Sequence, residues 1–297
     1  MARQPDPCVL LVDNGSVRAE STLSLRRIAA ALSERVGAKV HPVSLLHSTR
    51  VDPSELGGEP ARLFEPFIKA RRADHGVDSF LVVPFFFGPS AAIFEYLPQR
   101  VMELRREWPE LQVRVAPPMA DPGHPRDTVA AEILADLVRK KAAEEKLVHP
   151  AVTLVDHGTP RRPVNRVRNL LAGQLRELLG DEVAAVEPSS MERREGREYD
   201  FNEPLLENLL GSKGFTGDVI LSMLFISPGR HAGPGGDIAQ ICAAAGERHP
   251  GLKTYMGDLF ASHPGVVGLL AERYRQGLTS RPAGEETPAP AGEPGTQ

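Results

Sequence analysis

Two stretches of the sequence decide the fold: residues 9–16 read VLLVDNGS, and residues 152–159 read VTLVDHGT. Each is a run rich in β-branched residues that ends in Asp-x-Gly and a hydroxyl side chain, which is typical of a buried strand, a tight turn and a helix cap. An amphipathic segment follows each run and ends at Gly37 in the first case and at Gly180 in the second. The sequence therefore predicts the same strand–turn–helix unit twice.

The two units open two copies of one longer pattern. Residues 80–89 read FLVVPFFFGP and correspond to residues 219–228, which read VILSMLFISP. A shorter match follows, in which WPEL at 108–111 corresponds to HPGL at 249–252. The period is about 140 residues, far longer than a solenoid repeat, and indicates a duplicated domain. Because strands and helices alternate, each copy is predicted to be α/β, with a mostly parallel sheet covered by helices on both faces.

Length and composition agree with a globular protein of two domains. The chain has 297 residues, of which 41% are hydrophobic and 25% charged. The net charge of -4 provides no basic surplus for nucleic acid or an anionic membrane, and no apolar run approaches the roughly 20 residues that span a bilayer. Two cysteines and a start without an apolar signal core favour a reducing compartment, so we expect a cytoplasmic protein.

The domain boundaries follow from the repeat and from composition. We predict an N-terminal domain over residues 1–145, a C-terminal domain over residues 146–280 and a tail over residues 281–297. The tail is rich in Pro, Gly, Ala and Glu. Such a segment buries too little apolar area to offset the entropy of ordering, so we expect disorder there.

The two copies differ where chemistry is expected. The first turn carries Asn14 in one copy and His157 in the other, and matching the prolines of the later loop aligns Ala92 with His231. Both histidines follow predicted parallel strands, at the sheet edge where open α/β folds bind ligands. Two neutral imidazoles suit a borderline divalent metal and leave coordination positions open. A single histidine is more often a surface or capping residue, and it is the paired placement that favours a metal site.

The residues around this pair resemble a known family. VDHGT at 155–159, together with SPGRH at 227–231 and the following Asp237, is similar to the CbiX-type class II chelatases, which are sirohydrochlorin cobaltochelatases and ferrochelatases. The Pro-Gly-x-His loop is the more specific part, and the resemblance covers about residues 8–278. It implies two tandem chelatase-like domains related by a pseudo-twofold axis across a cleft. The metal-binding pair is then kept only in the C-terminal copy.

The resemblance also implies an activity, namely insertion of Co²⁺, Fe²⁺ or Ni²⁺ into a sirohydrochlorin-type tetrapyrrole, in cobalamin or siroheme biosynthesis. His157 and His231 would be both metal ligands and catalytic residues, since an imidazole that titrates near neutrality can also take up a pyrrole proton. No organic cofactor is expected, and the tetrapyrrole is the expected partner. Because the two repeats are fused, we expect a monomer.

An acidic residue often completes such sites. Glu95, in the first copy's equivalent of the His231 loop, is the predicted catalytic acid, and a solvated glutamate at a helix start is the alternative for it. Glu192 and Glu203 are the other candidates, and both lie in a charge-dense insert at 189–204. The arginines of that insert suit the acetate and propionate groups of a uroporphyrin-derived ring, although a solvated loop explains any one of them equally well.

The loop that carries His231 is the predicted contact for the ring. Gly229, Arg230 and Gly233 are the predicted substrate-binding residues, because a loop of small residues lets a large flat ligand approach the backbone. A long surface loop with ordinary turn chemistry is the alternative.

Two other functions stay open. A histidine phosphatase also places His-Gly after a strand, but its chemistry uses an arginine immediately before the histidine, where Asp156 stands here. A non-catalytic metal- or tetrapyrrole-binding protein derived from a chelatase would use the same two histidines.

Overall fold

The computed structural model describes residues 6–233 and 235–280, so the tail predicted at 281–297 lies outside the described residues. The first half contains β1 (Cys8–Asp13), α1 (Ala19–Val36), β2 (Val40–Ser44), α2 (Phe64–His75), β3 (Ser79–Pro84), α3 (Leu97–Glu107), β4 (Gln112–Val115) and α4 (Val129–Glu144). The second contains β5 (Ala151–Asp156), α5 (Arg162–Leu179), β6 (Ala185–Ser190), α6 (Leu206–Leu209), β7 (Asp218–Met223), α7 (Asp237–Arg248), β8 (Lys253–Met256) and α8 (Gly265–Leu278). Within these two described ranges, no helix has the length and apolar character that crossing a membrane requires.

The strands form two four-stranded parallel sheets of the same topology. The strand order is β2-β1-β3-β4 in one sheet and β6-β5-β7-β8 in the other. The register is also repeated, since Asp13 pairs with Ser44 in the first sheet and Asp156 pairs with Ser190 in the second. The predicted α/β architecture of two tandem copies is therefore confirmed.

The last helix of each half lies on the sheet of the other half. Helix α4 contacts α5 and β7, and α8 contacts α1, β3 and β4. One buried cluster consequently draws apolar side chains from both halves, with Ile133 of α4 and Leu269 of α8 in the same core as Leu81 and Leu154 of the two sheets. The boundary predicted between residues 145 and 146 thus separates two sequence copies that share one core.

Reciprocal contacts between the halves show the pseudo-twofold relation. Ser227 Oγ, in the loop after β7, lies 3.2 Å from Ser24 Oγ of α1. In the other direction, Gly88 of the loop after β3 lies so close to α5 that a Cβ on it would be 2.3 Å from Val167 Cγ2. The loop after β7 therefore packs against α1, and the loop after β3 packs against α5. These contacts bring the carboxyl edges of both sheets to a common region.

Candidate metal site

Two histidines of the second half converge at the carboxyl edge of its sheet. His157 follows β5 and His231 lies in the loop after β7, and these two strands are neighbours. The centroids of the imidazole rings are 4.6 Å apart, with an interplanar angle of 77°. The side chain of His157 is 46% exposed and that of His231 is 29% exposed. The pair is therefore close enough to share one ion and open enough for a large ligand to reach it.

A glycine turn holds His157 in place. Gly158 has a φ of 90°, and a Cβ on it would stand 1.9 Å from the carbonyl oxygen of Glu192. The backbone N–H of Glu192 in turn donates to the carbonyl of His157 at 3.2 Å. Glycine is required by both its backbone angle and this close approach. The contact ties the His157 turn to the segment that follows β6.

The same contact brings a carboxylate beside the histidine pair. Glu192 Oε1 lies 3.6 Å from His157 Nε2, and the Glu192 side chain is 62% exposed. Glu203, the other candidate in the insert, is used elsewhere: its Oε1 accepts from Arg193 Nε at 2.8 Å and its Oε2 from the Leu205 N–H at 2.9 Å.

Beneath the turn, Asp156 and Arg168 form a buried brace. Asp156 Oδ1 accepts from the Gly158 N–H at 3.0 Å and from Ser190 Oγ at 2.6 Å. Burial raises the pKa of Asp156, while the hydrogen bond from Ser190 and the charge of Arg168 oppose that rise. Arg168, itself 1% exposed, donates to Ser190 Oγ at 2.5 Å and to the Asn202 carbonyl at 2.8 Å. The carboxylate before His157 therefore orders its own turn.

His231 has a carboxylate of its own. Its Nδ1 lies 2.5 Å from Oδ2 of Asp237, the first residue of α7. With Nδ1–H donating to this carboxylate, Nε2 keeps its lone pair for a metal, and the ring orientation is fixed. Arg230 Nε lies 3.7 Å from the same oxygen, with the Arg230 side chain 78% exposed.

The loop predicted to contact the ring is open at Gly229, tight at Gly233 and crowded at Gly236. A Cβ on Gly229 would meet nothing within 4 Å, and one on Gly233 would lie 3.3 Å from the Gly229 carbonyl. A Cβ on Gly236 would lie 2.7 Å from the Arg230 carbonyl and 2.8 Å from the His231 carbonyl. Gly236 therefore lets the loop fold back on itself, while the role of Gly229, Arg230 and Gly233 in ring binding remains a prediction.

Glu95 reaches across from the first half and meets an arginine. It lies in a π-helical turn, Ala92–Tyr96, that leads into α3. Its carboxylate makes a two-point ion pair with Arg161, which caps the start of α5: Oε2 is 2.9 Å from Nη2, and Oε1 contacts Nη1. The pseudo-symmetry thus places Glu95 beside Arg161 near the loop of His157, where a guanidinium engages its oxygens, and its catalytic role stays a prediction.

The first half keeps the turn and lacks the ligands. A Cβ on Gly15 would stand 1.7 Å from the Leu46 carbonyl, which repeats the contact of Gly158, yet Asn14 occupies the position of His157. Burial raises the pKa of Asp13 to about 6, against hydrogen bonds from Ser44 and Gly15. Leu25 stands at the α1 position that corresponds to Arg168 in α5, so this carboxyl lacks the cationic brace.

Sequence reasoning missed two functional contacts. The sequence motif around His231 included Asp237, but no role was predicted for it. Its position at the start of a helix, shortly after a candidate ligand, was the signal that could have indicated a contact with His231. Arg161 carried no signal at all, because its partner Glu95 is distant in sequence. Across the described ranges, no group of three or more His, Cys, Asp or Glu side chains is arranged to hold a metal ion. The geometry is therefore two imidazoles with a carboxylate beside each, Glu192 at His157 and Asp237 at His231.

The fold is shared with sirohydrochlorin chelatases of known structure. SirB from Bacillus subtilis with Fe³⁺ aligns over 92% of this chain and 96% of its own, with a TM-score of 0.66 and 16% identity. SirB from Bacillus subtilis subspecies spizizenii in complex with cobalt aligns over 91% and 94%, with a TM-score of 0.63 and 17% identity. CbiX, the terminal enzyme for biosynthesis of siroheme in denitrifying bacteria, aligns over 90% and 98%, with a TM-score of 0.56 and 17% identity.

At these identities the likeness establishes the fold, and the class is a two-domain α/β protein of the chelatase type. The sequence adds a second comparison: residues 151–277, in the C-terminal half of the chain, match the CbiX family model. Among curated protein sequences, none matches the chain significantly. The matched segment is the half that carries His157 and His231, so the resemblance noted in their motifs is confirmed there.

Proposed function

We propose that this chain is a metal chelatase that inserts Co²⁺ or Fe²⁺, with Ni²⁺ as a further candidate, into a sirohydrochlorin-type tetrapyrrole. The observation that carries the proposal is the 4.6 Å approach of the His157 and His231 rings at the carboxyl edge of a parallel sheet. Two imidazoles suit borderline divalent metals, and the open coordination positions allow the ion to be passed on. The cobalt and Fe³⁺ bound by the two SirB structures support the first two metals.

We propose different roles for the three carboxylates near the histidine pair. Glu192, 3.6 Å from His157 Nε2, is close enough to join the metal or to accept a proton after a small side-chain rotation. Asp237 acts through His231, whose Nδ1–H it accepts. Glu95 becomes free to act as a catalytic residue only when another anion takes its place on Arg161.

The carboxylates of the ring are the anions that suit this exchange. Arg161 presents a planar fork that binds carboxylates at two points. Arg18 occupies the same position before α1, and the two backbone N–H groups make the same 3.1 Å bond to a preceding hydroxyl, Ser16 Oγ and Thr159 Oγ1 respectively. We propose that this pseudo-symmetric pair of arginines receives acidic side chains on the two sides of the ring.

Insertion exchanges two pyrrole protons for one M²⁺, so protons must leave as the metal arrives. The histidines hold the ion while the ring docks, and each regains a free lone pair when the ion moves to the ring nitrogens. An imidazole titrates near neutrality and is suited to take one of the released protons. By accepting the Nδ1–H, Asp237 leaves the Nε2 lone pair of His231 available for the same task.

The test is insertion of Co²⁺ or Fe²⁺ into sirohydrochlorin under anaerobic conditions, followed by loss of the free-ring absorbance. The chain should accelerate the reaction, and His157→Ala and His231→Ala should each lower the rate by roughly 100-fold or more while remaining folded. Asn14→Ala, at the equivalent position of the first half, is the matched control and should keep the wild-type rate.

The same assay examines the arginine. Arg161→Ala should raise KM for the ring with little change in kcat, because it removes binding of a distant carboxylate. Wild-type rates in both histidine variants would show that the site is wrongly assigned. Metal binding without insertion by the wild type would support the non-catalytic alternative.

A further inference from the structure

The N-terminal half contains a second cleft, between the edge strand β2 and helix α2. It encloses about 490 Å³, within the range typical of pockets for small molecules. Its walls include Lys39, His41, Arg62, Phe67 and Arg71. These residues belong to neither the histidine pair nor the loops that surround it, so the cleft needs an explanation of its own.

Three cations surround a buried imidazole in this cleft. His41 is 4% exposed, and its Nε2 accepts a hydrogen bond from Arg71 Nη2 at 3.1 Å. Burial, together with the charges of Arg71, Lys39 and Arg62, lowers the pKa of His41 to about 4. His41 is therefore neutral at physiological pH, and it orients Arg71 without compensating its charge.

The cations lie beside an apolar wall. The Cζ atoms of Arg71 and Arg62 are 5.4 Å and 5.9 Å from the centroid of the Phe67 ring, and the His41 ring is 5.0 Å from it. Ala61, Leu63 and Ala70 extend this wall. An arginine held over an aromatic face is partly desolvated, which strengthens its attraction for an anion.

The cleft keeps a net positive charge, because three cations face two carboxylates. Glu59 pairs with Arg62 at 2.5 Å, and Asp74 is a further carboxylate on the wall. In the described part of the chain, neither Arg71 nor Lys39 forms an ion pair with a carboxylate, although Arg71 donates hydrogen bonds to His41 Nε2 and to the Cys8 thiol. The cleft is thus cationic in a chain whose net charge is -4.

The second half does not repeat the cleft. The sheet registers pair Leu10 with His41 and Thr153 with Glu187, so Glu187 occupies the place of His41. Ala185 likewise replaces Lys39, and Glu187 lies 3.2 Å from Arg176 in an ion pair. The cationic cluster therefore belongs to the half that lacks the metal-binding histidines.

We propose that this cleft binds a small organic anion, a carboxylate or a phosphate on a flat apolar body. Arg71 and Lys39 hold the anionic group, and the body lies against Phe67. A guanidinium with free N–H groups can bind either anion at two points, so the same contacts would recognise a carboxylate and a phosphate.

Calorimetric titration of the full chain at constant ionic strength tests the proposal, with inorganic phosphate, phenyl phosphate and benzoate as probes. At least one organic anion should bind with one-to-one stoichiometry and more tightly than inorganic phosphate. Phenyl phosphate binding more tightly than benzoate would identify a phosphate ester as the ligand class, and the reverse would identify a carboxylate. Failure of all three probes to bind, or equal affinity for all three, would overturn the proposal.

Variants locate the binding. Arg71→Ala and Lys39→Ala should each weaken binding by about tenfold or more, as expected for loss of a charge-assisted hydrogen bond. Arg106→Ala, an exposed arginine of α3, is the control and should bind as the wild type does. The side chain of Lys39 is exposed, so Lys39→Ala carries the test if Arg71→Ala unfolds. Equal binding by wild type and Lys39→Ala would contradict the assignment. His157→Ala should bind these anions normally, which separates this proposal from the metal site.

Discussion

At the scale of single residues, the two histidines are supported in different ways. His157 is held through its backbone, by the contact of Gly158 with the Glu192 carbonyl. His231 is held through its side chain, by the 2.5 Å contact of Nδ1 with Asp237. A carboxylate behind a ligand imidazole sets both its tautomer and its basicity, so Asp237 should affect the metal without touching it.

Asp237→Asn should therefore weaken Co²⁺ binding by roughly tenfold to 100-fold, the usual cost of losing a carboxylate behind a ligand histidine. The change keeps the shape of the side chain and removes its charge. Co²⁺ titration followed by visible absorption measures the affinity. Asp258→Asn, which alters a surface aspartate paired with Lys140, is the matched control and should leave the affinity unchanged. An unaltered affinity in Asp237→Asn would mean that His231 is not oriented by this contact.

At the scale of elements, the strand–turn–helix unit was predictable because its signals are local. The alternation of apolar strand, Asp-x-Gly turn and amphipathic helix lies within one short stretch, and the same stretch occurs twice. The equivalence of Asn14 and His157 follows from that repeat alone. What the local pattern did not reveal is the segment that each turn contacts, since the Glu192 carbonyl reaches Gly158 from the segment that follows β6.

The turn after β5 gives a prediction with a close control. Gly158→Ala places a Cβ at a φ of 90° and 1.9 Å from the Glu192 carbonyl. Gly214→Ala has nearly the same φ of 91°, with nothing within 4 Å of the new Cβ. Backbone strain should cost both variants about 1 kcal/mol in the free energy of unfolding, and Gly158→Ala should lose more.

Urea unfolding and Co²⁺ titration measure the two effects. Only Gly158→Ala should also lose metal affinity, because only there does the backbone have to move away from the segment that positions His157. Equal destabilisation of the two variants with intact metal binding would show that the close approach at Gly158 is unimportant.

At the scale of the whole molecule, α4 and α8 join the two repeats, because each packs against the sheet of the opposite half. Each sheet is covered on its inner face by helices that include the last helix of the other half. Arg273 of α8 reinforces this, since it donates to the Pro118 carbonyl at 2.8 Å and to the Met119 carbonyl at 2.9 Å in the first half. Each half therefore relies on the other for part of its core.

Unfolding should accordingly be one cooperative event. The single tryptophan, Trp108, packs at the edge of the first half's own core and reports on that half, whereas far-UV circular dichroism reports on both. Urea transitions followed by the two signals should coincide. Separate midpoints would show that the halves unfold independently and that the shared core contributes little.

Long-range packing also marks what the sequence could not provide. The packing of α4 and α8 on the sheet of the opposite half depends on which face of each sheet the other helices leave uncovered. That cannot be predicted from a local stretch of sequence. The ion pair of Glu95 with Arg161 joins side chains from opposite halves, and no local pattern relates them. By contrast, the histidine pair was predictable because parallel topology brings the carboxyl ends of neighbouring strands together.

The most direct measurement is a single turnover with the metal already on the protein. The chain is loaded with one equivalent of Co²⁺, freed of unbound metal and mixed with sirohydrochlorin in the presence of a competing chelator. If His157 and His231 hold the ion for transfer, close to one cobalt-containing ring should form per chain, and the chelator should not intercept the metal. The proposed chelatase activity would be contradicted if the protein retained the cobalt, or if the chelator bound the cobalt before any cobalt-containing ring formed.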